Sequence, residues 1–242
     1  MKKEEVLEKI RGKLIVSCQG SNIDGNPFYT PDLLLQMAKA AYGGGCAGFR
    51  ANEPENIRKI KKEFPDVPMI GIWKIMTEGN DVYITPTIEA VDTLVNIGCE
   101  IVALDGTKRI NAYGKNGWDL IREVKSKYPE LLIMADIADL EDAIKSSEAG
   151  ADIVSTTLSG YTDYTKANTK ICDFDLILKI KRNKVNAFII AEGKIWNIED
   201  AIKAFDCGAD SIVVGTAITS PIGITKRYVT AINEYNKNSA VI

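Results

Sequence analysis

Short apolar runs alternate with amphipathic segments along the whole chain. Within residues 131–161, one apolar run, Leu131–Ala135, ends in Asp136, and a second, Ile153–Val154, ends in a group of hydroxyl residues. Between the two runs, apolar residues recur at helical spacing up to Gly150. Strands of a buried parallel sheet are near-continuous apolar runs, and the helices that connect them are amphipathic. This stretch therefore predicts a strand, a helix and a second, parallel strand.

The same unit recurs about eight times. Strands are predicted at Lys13–Val16, Cys46–Phe49, Met69–Trp73, Glu100–Leu104, Leu131–Ala135, Ile153–Val154, Ala187–Ala191 and Ser211–Val214. Helices are predicted at Pro31–Ala41, Glu53–Glu63, Ile88–Ile97, Gly117–Tyr128, Leu140–Ala149, Asp173–Arg182, Ile198–Phe205 and Ile222–Tyr235. Eight such units predict an α/β protein, a (β/α)8 TIM barrel formed as a single domain over residues 1–242. A doubly wound open sheet is the alternative.

Composition and charge exclude several classes of protein. The 242 residues carry a formal net charge of -3, which argues against nucleic acid or an anionic membrane as a partner. No apolar run is long enough to span a bilayer, and the first residues lack an apolar signal segment, so a cytoplasmic location is predicted. The five cysteines are scattered without a CxxC pair, which predicts reduced, buried thiols.

The chain contains no histidine. Ser-His-Asp and Cys-His nucleophilic mechanisms are therefore excluded, and so is any metal site with a histidine ligand. Proton transfer in this protein has to be carried out by Lys, Asp, Glu or Tyr side chains.

Polar residues or glycine follow each predicted strand, at the edge where barrels bind their ligands. In chain order they are Gln19, Arg50, Lys74, Asp105, Asp136, Thr156, Glu192 and Gly215. Each residue alone has a plain structural interpretation, because a strand-end Asp often caps a turn or pairs with a nearby Lys. Together, in one barrel mouth, they are more polar than solubility requires.

The last two strand ends predict a phosphate site. Gly193 and Lys194 follow the seventh strand, and Gly215 and Thr216 follow the eighth. Barrels often bind phosphate through backbone N–H groups at these two positions, where glycine lets the backbone approach an anion closely. The predicted substrate is a small phosphorylated metabolite.

Lys74 and Glu192 are the candidate proton-transfer groups. A lysine desolvated in the mouth, or close to Arg50, would have a lowered pKa and could serve as a base. Lys74 could instead form a Schiff base or bind phosphate, and the residues alone do not choose among these roles.

With these residues identified, the chain resembles the N-acetylmannosamine-6-phosphate 2-epimerase family over nearly its whole length. The matching segments are Leu14–Gln19, Phe49–Ala51, Ile70–Ile72 with Lys74, Ile84–Thr87, Ala103–Arg109, Met134–Ile137, Val154–Thr162, Ala191–Gly193 and Ile224–Arg227. The resemblance implies a (β/α)8 barrel that interconverts N-acetylmannosamine 6-phosphate and N-acetylglucosamine 6-phosphate in the breakdown of sialic acid. It also implies that no metal or other cofactor is needed.

The resemblance also implies roles for individual residues. Lys74 would be the acid/base at carbon 2 of the sugar, assisted by Glu192. Whether Lys74 acts alone or with Glu192 as a second base is not decided by the sequence. From their positions at the strand ends, Gln19 and Arg50 are our candidates for binding the carbonyl or N-acetyl group, and Asp136 is the candidate for orienting Lys74 or a sugar hydroxyl. Further substrate contacts are expected from Thr156 and Tyr161.

The oligomeric state is a separate expectation. The family resemblance suggests a homodimer. The apolar positions of the last predicted helix are expected to cover the barrel rather than a partner. These positions are Ile224, Tyr228, Val229 and Ile232.

The chain departs from the family pattern at three positions. Ile75, Lys194 and Ser220 stand where the family commonly has Arg. Lys226 or Lys108 could compensate for the missing charges, or the preferred substrate could differ. Two other functions stay open: a sugar-phosphate-binding protein without turnover, and a lyase that forms a Schiff base through its active-site lysine.

Overall fold

A closed parallel barrel is the centre of the structure. The computed structural model describes residues 1–20, 26–167 and 171–239. Eight strands pair in chain order, and the first also pairs with the last, which confirms the predicted (β/α)8 barrel and excludes an open sheet. They are β1 (Leu14–Cys18), β2 (Gly48–Asn52), β3 (Met69–Ile72), β4 (Ile101–Asp105), β5 (Leu132–Asp136), β6 (Ile153–Ser155), β7 (Phe188–Glu192) and β8 (Ser211–Val214).

Helices surround the barrel. They are α1 (Lys3–Ile10), α2 (Pro31–Gly43), α3 (Pro54–Glu63), α4 (Ile88–Ile97), α5 (Gly117–Lys127), α6 (Leu140–Ala149), α7 (Phe174–Arg182), α8 (Ile198–Asp206), α9 (Thr216–Thr219) and α10 (Pro221–Ser239). Side-chain oxygens of Thr87, Asn116, Asp139, Asp173 and Asn197 accept hydrogen bonds from backbone N–H groups in the first turns of α4 to α8. These N-caps fix where each helix begins, and so where the preceding loop ends.

The sequence pattern did not predict α1. This helix buries Val6 and Ile10 against apolar residues of the barrel interior such as Ile15 and Phe188. Its charged residues face outward, and only two buried positions mark it in the sequence. With these contacts α1 closes the end of the barrel at which the strands begin, so a cavity can open only at the other end.

One strand differs from its prediction in a way that matters for the site. The apolar run Cys46–Phe49 was predicted to end at Arg50, but β2 extends over Gly48–Asn52 and Arg50 lies in its middle. Arg50 pairs in register with Ser17 of β1 and its side chain is 1% exposed. The strand continues through this charge because carboxylates inside the barrel compensate it.

The last helix does not cover the barrel as predicted. Tyr228, Val229 and Ile232 on α10 are 68%, 50% and 56% exposed. The other predicted covering residue, Ile224, is half-buried near the start of the helix. The pattern shows that one face of α10 is apolar, but it cannot show which surface that face meets.

Two further expectations concern the chain as a whole. All five cysteines are buried and form no disulfide, as predicted. None of the helices built from the described residues has the length and apolar character needed to cross a bilayer.

Candidate active site

A cavity of about 520 Å³ opens at the carboxyl end of the strands. Eight of the predicted site residues line it: Gln19, Lys74, Tyr161, Glu192, Gly193, Lys194, Gly215 and Thr216. The other three predicted residues, Arg50, Asp136 and Thr156, lie beside or beneath it without lining it. Side chains two residues apart on a strand face the same side, which explains in part why some of the strand-end residues line the cavity and others do not.

Arg50 binds two carboxylates beneath the cavity. Its Nη1 and Nη2 donate to Asp136 Oδ1 and Oδ2 at 3.0 and 2.5 Å, and Nη1 also donates to Glu192 Oε2. Arg50 and Asp136 are 1% and 0% exposed, and Glu192 is 13% exposed on the cavity side. The cluster therefore connects β2, β5 and β7 and fixes Glu192 at the cavity floor.

The cluster shifts the pKa values of its members. Burial disfavours the charged form of Arg50, but the carboxylates of Asp136 and Glu192 outweigh burial and raise the pKa of Arg50. Burial raises the pKa of Glu192 to about 7, with the nearby Asp136 carboxylate adding to the effect and Arg50 opposing it. A carboxyl group with such a pKa can both accept and donate a proton near neutral pH.

Lys74 follows β3 and lines the open mouth of the barrel. Its ammonium group forms no hydrogen bond or ion pair with other described residues. Desolvation by the surrounding protein lowers the pKa of Lys74, and the positive charge of Arg50 adds to this, while Glu192, Asp136 and Glu53 act in the opposite direction. Lys74 is therefore easier to deprotonate than an ordinary surface lysine.

Thr157, not Thr156, lines the cavity. The Thr156 hydroxyl is bonded to the backbone N–H and C=O of Glu192, 3.1 and 2.9 Å away, so it supports β7 from behind. The Thr157 hydroxyl donates to Asp136 Oδ1 at 2.7 Å and accepts from Arg50 Nη1 at 3.3 Å. Strand alternation could not have identified Thr157, because β6 ends at Ser155 and residues Thr156–Leu158 form a 3-10 turn.

The predicted phosphate residues form one end of the cavity. Gly193 has a φ of 103°, a left-handed conformation that favours glycine, and Lys194 follows with a φ of 59°. Lys194 Nζ donates to the backbone carbonyl of Ser159 at 2.6 Å and lies 4.8 Å from the centre of the Tyr161 ring. These contacts connect the loop after β7 to the loop that carries Tyr161.

The other polar strand end, Asp105, serves a structural purpose. Its carboxylate accepts hydrogen bonds from the backbone and hydroxyl of Thr107 and pairs with Arg109 Nη2 at 2.5 Å. In the described part of the chain, no three His, Cys, Asp or Glu side chains are grouped as ligands of a metal ion would be.

Comparisons with known proteins identify the family of this chain. Residues 34–234 match the family model described as putative N-acetylmannosamine-6-phosphate epimerase. A relative from Caldanaerobacter subterraneus subsp. tengcongensis, named as a putative N-acetylmannosamine-6-phosphate 2-epimerase, is 46% identical over 95% of both chains. A relative of the same name from Clostridioides difficile is 44% identical over 94% of this chain and 99% of its own.

The chain belongs to this epimerase family.

Solved structures give the same result for the fold. The N-acetylmannosamine-6-phosphate 2-epimerase from Clostridium perfringens superposes with a TM-score of 0.86 at 41% identity, covering 93% of this chain and 95% of its own. Thiamine phosphate pyrophosphorylase from Pyrococcus furiosus, with a TM-score of 0.59 and 18% identity, shares the barrel fold alone.

The structure also locates the departures from the family pattern. Ser220 lines the cavity, and its hydroxyl accepts from the backbone N–H of Gly223 at 3.1 Å. Of the two lysines considered as replacements for a missing charge, Lys226 lines the same end of the cavity. Lys108 instead pairs with Glu141 at 3.0 Å, away from the cavity.

The Arg50 cluster predicts a specific response to mutation. Arg50→Met would leave two carboxylates buried without their counter-charge, so we expect the unfolding free energy to fall by about 3–5 kcal/mol. Adding Asp136→Leu should recover much of that loss, because the second change removes one of the two uncompensated charges. Chemical denaturation of both variants measures these values.

The control for this experiment is Arg122→Met. Arg122 pairs with Asp119 on the surface, where both side chains are more than half exposed. Its replacement should change stability by no more than about 1 kcal/mol. Equal losses for Arg50→Met and Arg122→Met would contradict a structural role for the buried cluster.

Proposed function

We propose that this chain interconverts N-acetylmannosamine 6-phosphate and N-acetylglucosamine 6-phosphate by removing and returning the proton at carbon 2. Membership of the epimerase family supports this reaction. The main support for the reaction is that Lys74 and Glu192 line one cavity from opposite sides. They follow β3 and end β7, which are four strands apart in a closed barrel of eight.

Epimerisation requires that a proton be removed from one face of carbon 2 and returned to the opposite face. In the opened sugar, carbon 2 lies next to the aldehyde, so loss of its proton gives an enolate-type intermediate. Return of the proton to the other face inverts the centre. Two proton-transfer groups on opposite sides of the cavity fit this step, with polar groups nearby to stabilise the developing oxyanion.

We assign the remaining site residues to support and binding. Arg50, Asp136 and Thr157 would position Glu192, because they contact one another and Glu192 beneath the cavity. Gln19 and Tyr161 line the cavity and would contact the sugar. The phosphate would lie at the end lined by Gly193, Lys194, Gly215, Thr216 and Lys226, where two lysines and two glycines offer cationic side chains and accessible backbone N–H groups.

The activity is tested by incubating the protein with N-acetylmannosamine 6-phosphate in D2O and following carbon 2 by proton NMR. We expect N-acetylglucosamine 6-phosphate with deuterium at carbon 2. Lys74→Ala should abolish formation of the product, because inversion needs both groups. Lys13→Ala, at an exposed lysine just before β1, should leave product formation and exchange unchanged.

Other outcomes distinguish the alternative functions. Binding without exchange or product would indicate a sugar-phosphate-binding protein. Covalent trapping of the substrate on Lys74 by borohydride would indicate a Schiff-base enzyme. Either result would refute the epimerase proposal.

The shifted pKa values predict the pH dependence. Transfer in one direction needs neutral Lys74 with protonated Glu192, and transfer in the other needs protonated Lys74 with ionised Glu192. In both states the pair of Lys74 and Glu192 holds one proton. The lowered pKa of Lys74 and the raised pKa of Glu192 bring the two states closer in energy. We therefore expect bell-shaped profiles of kcat/KM with the same two limbs for both epimers. If one limb of the profile were present for only one epimer, this would contradict the proposal that Lys74 and Glu192 share one proton.

We also propose that the protein forms a homodimer. The support is the apolar face of α10, where Tyr228, Val229 and Ile232 are exposed, and the neighbouring exposure of Ile198 on α8. Such a patch is costly to leave in water. The cytoplasmic location and the absence of nucleic-acid partners stay predictions from charge and composition.

Light scattering of the purified protein tests the dimer. We expect the mass of two chains for the protein as it is, and a shift towards one chain for Ile232→Glu, which places a charge in the apolar face. Thr230→Glu, on the opposite side of the same helix, should leave the mass unchanged. A single-chain mass for the unmodified protein would contradict the proposal.

A further inference from the structure

The chain that carries Lys74 lies beyond the regular part of its strand. The ladder between β2 and β3 ends at the pair Asn52 and Ile72, two residues before Lys74. Beyond that pair, Lys74 forms an isolated antiparallel bridge with Ile84, in which the backbone N–H groups of Ile75 and Thr85 donate to the carbonyls of Tyr83 and Trp73, both at 2.9 Å. Two side chains also hold this segment. The backbone N–H of Lys74 donates to Asn52 Oδ1 at 2.9 Å, and that of Trp73 donates to the Thr85 hydroxyl at 3.1 Å. The backbone N–H of Lys74 is therefore bonded to the Asn52 side chain and not to the parallel sheet, while the bridge to Ile84 holds the segment from the other side.

Glu53 holds the Asn52 amide in the orientation that this contact needs. Asn52 Nδ2 donates to Glu53 Oε1 at 3.4 Å, so the amide oxygen is left to face Lys74. Asn56 Nδ2 donates to the other Glu53 oxygen, also at 3.4 Å, and the Glu53 backbone N–H donates to the carbonyl of Ile72 at 3.1 Å. Asn52 and Asn56 are 4% and 2% exposed, which limits their freedom to turn.

The backbone at Glu53 is strained. Its φ of 74° and ψ of 136° lie in a region that residues with a Cβ rarely adopt. Pro54 follows, and the residue before a proline is restricted to extended ψ values. Glycine would fit this turn with less strain, and strained residues concentrate at functional sites. The presence of glutamate here indicates that its side chain has a use.

We propose that Asn52 and Glu53 form a positioning pair that fixes Lys74 at the barrel mouth and supplies it with a nearby negative charge. This inference rests on the proposed epimerase function of Lys74. Asn52 acts on the Lys74 backbone, and Glu53 acts on Asn52 and, through space, on the ammonium group. Neither residue is among those that line the cavity, so neither is assigned a contact with the substrate.

The charges around Lys74 determine how each variant should change the pKa of Lys74. Arg50 of β2 favours the neutral amine, while Glu192 of β7, Asp136 of β5 and Glu53 favour the ammonium form, so the Glu53 charge raises the pKa of Lys74. Removing that charge should lower this pKa. Because Lys74 is one of the two groups whose protonation the pH profile follows, the limb that Lys74 sets should move to lower pH.

The first test compares Glu53→Gln with Glu55→Gln. The Glu53→Gln change keeps the size of the side chain and one acceptor oxygen but removes the charge. Glu55 is exposed in the first turn of α3 and forms no hydrogen bond or ion pair with other described residues. We expect the Lys74 limb of the kcat/KM profile to move to lower pH for Glu53→Gln and to stay in place for Glu55→Gln. Coincident profiles for both variants and the unmodified protein would overturn the proposal.

The second test separates positioning from stability. Glu53→Gly relieves the strained conformation, so we expect the thermal midpoint to hold or rise while kcat falls. Asn52→Leu should lower kcat about tenfold or more with little change in KM, because the Lys74 backbone N–H loses its acceptor. Asn52→Asp, which keeps an acceptor for the Lys74 N–H, should recover part of that activity.

Different results would refute the epimerase function and the positioning pair. An inactive unmodified protein, or full activity in Lys74→Ala, would refute the epimerase function itself. Normal dependence on Lys74 together with unchanged kcat in Glu53→Gly and Asn52→Leu would refute the positioning pair alone.

Discussion

The burial of Arg50 inside the barrel is the constraint on which the site depends. A guanidinium group that is 1% exposed is unfavourable unless carboxylates compensate it, and here Asp136 and Glu192 do so from β5 and β7. The same contacts hold Glu192 at the cavity floor in a fixed orientation. One buried charge thus stabilises the centre of the barrel mouth and positions a proton-transfer group.

The electrostatic balance around this cluster accounts for the proposed chemistry. Lys74 lies at the mouth near the Arg50 charge, where its pKa is lowered, and Glu192 shares a buried region with Asp136. The first arrangement favours a neutral amine and the second favours a neutral carboxyl group, so one proton can reside on either side of the substrate. A reversible inversion needs this property, because each group has to act as acid in one direction and as base in the other.

Much of the fold and part of the site could be predicted from the sequence, for identifiable reasons. Apolar runs separated by amphipathic segments are sufficient to predict eight strands, and polar residues after them predict the mouth. Local pattern could not predict that β2 continues through Arg50, because the compensating carboxylates are 86 and 142 residues away. It also placed a substrate contact at Thr156 where Thr157 lines the cavity, and it could not show what the apolar face of α10 meets.

Lys74 and Glu192 are proposed to act on opposite faces of the same carbon atom. The most direct test of this assignment uses Glu192→Gln in D2O with each epimer supplied separately, following loss of the carbon 2 proton and appearance of the other epimer. We expect exchange without inversion for one epimer, through Lys74, and neither exchange nor inversion for the other. Inversion of both epimers at an undiminished rate would show that a single group acts on both faces and would contradict the assignment of one face to each residue.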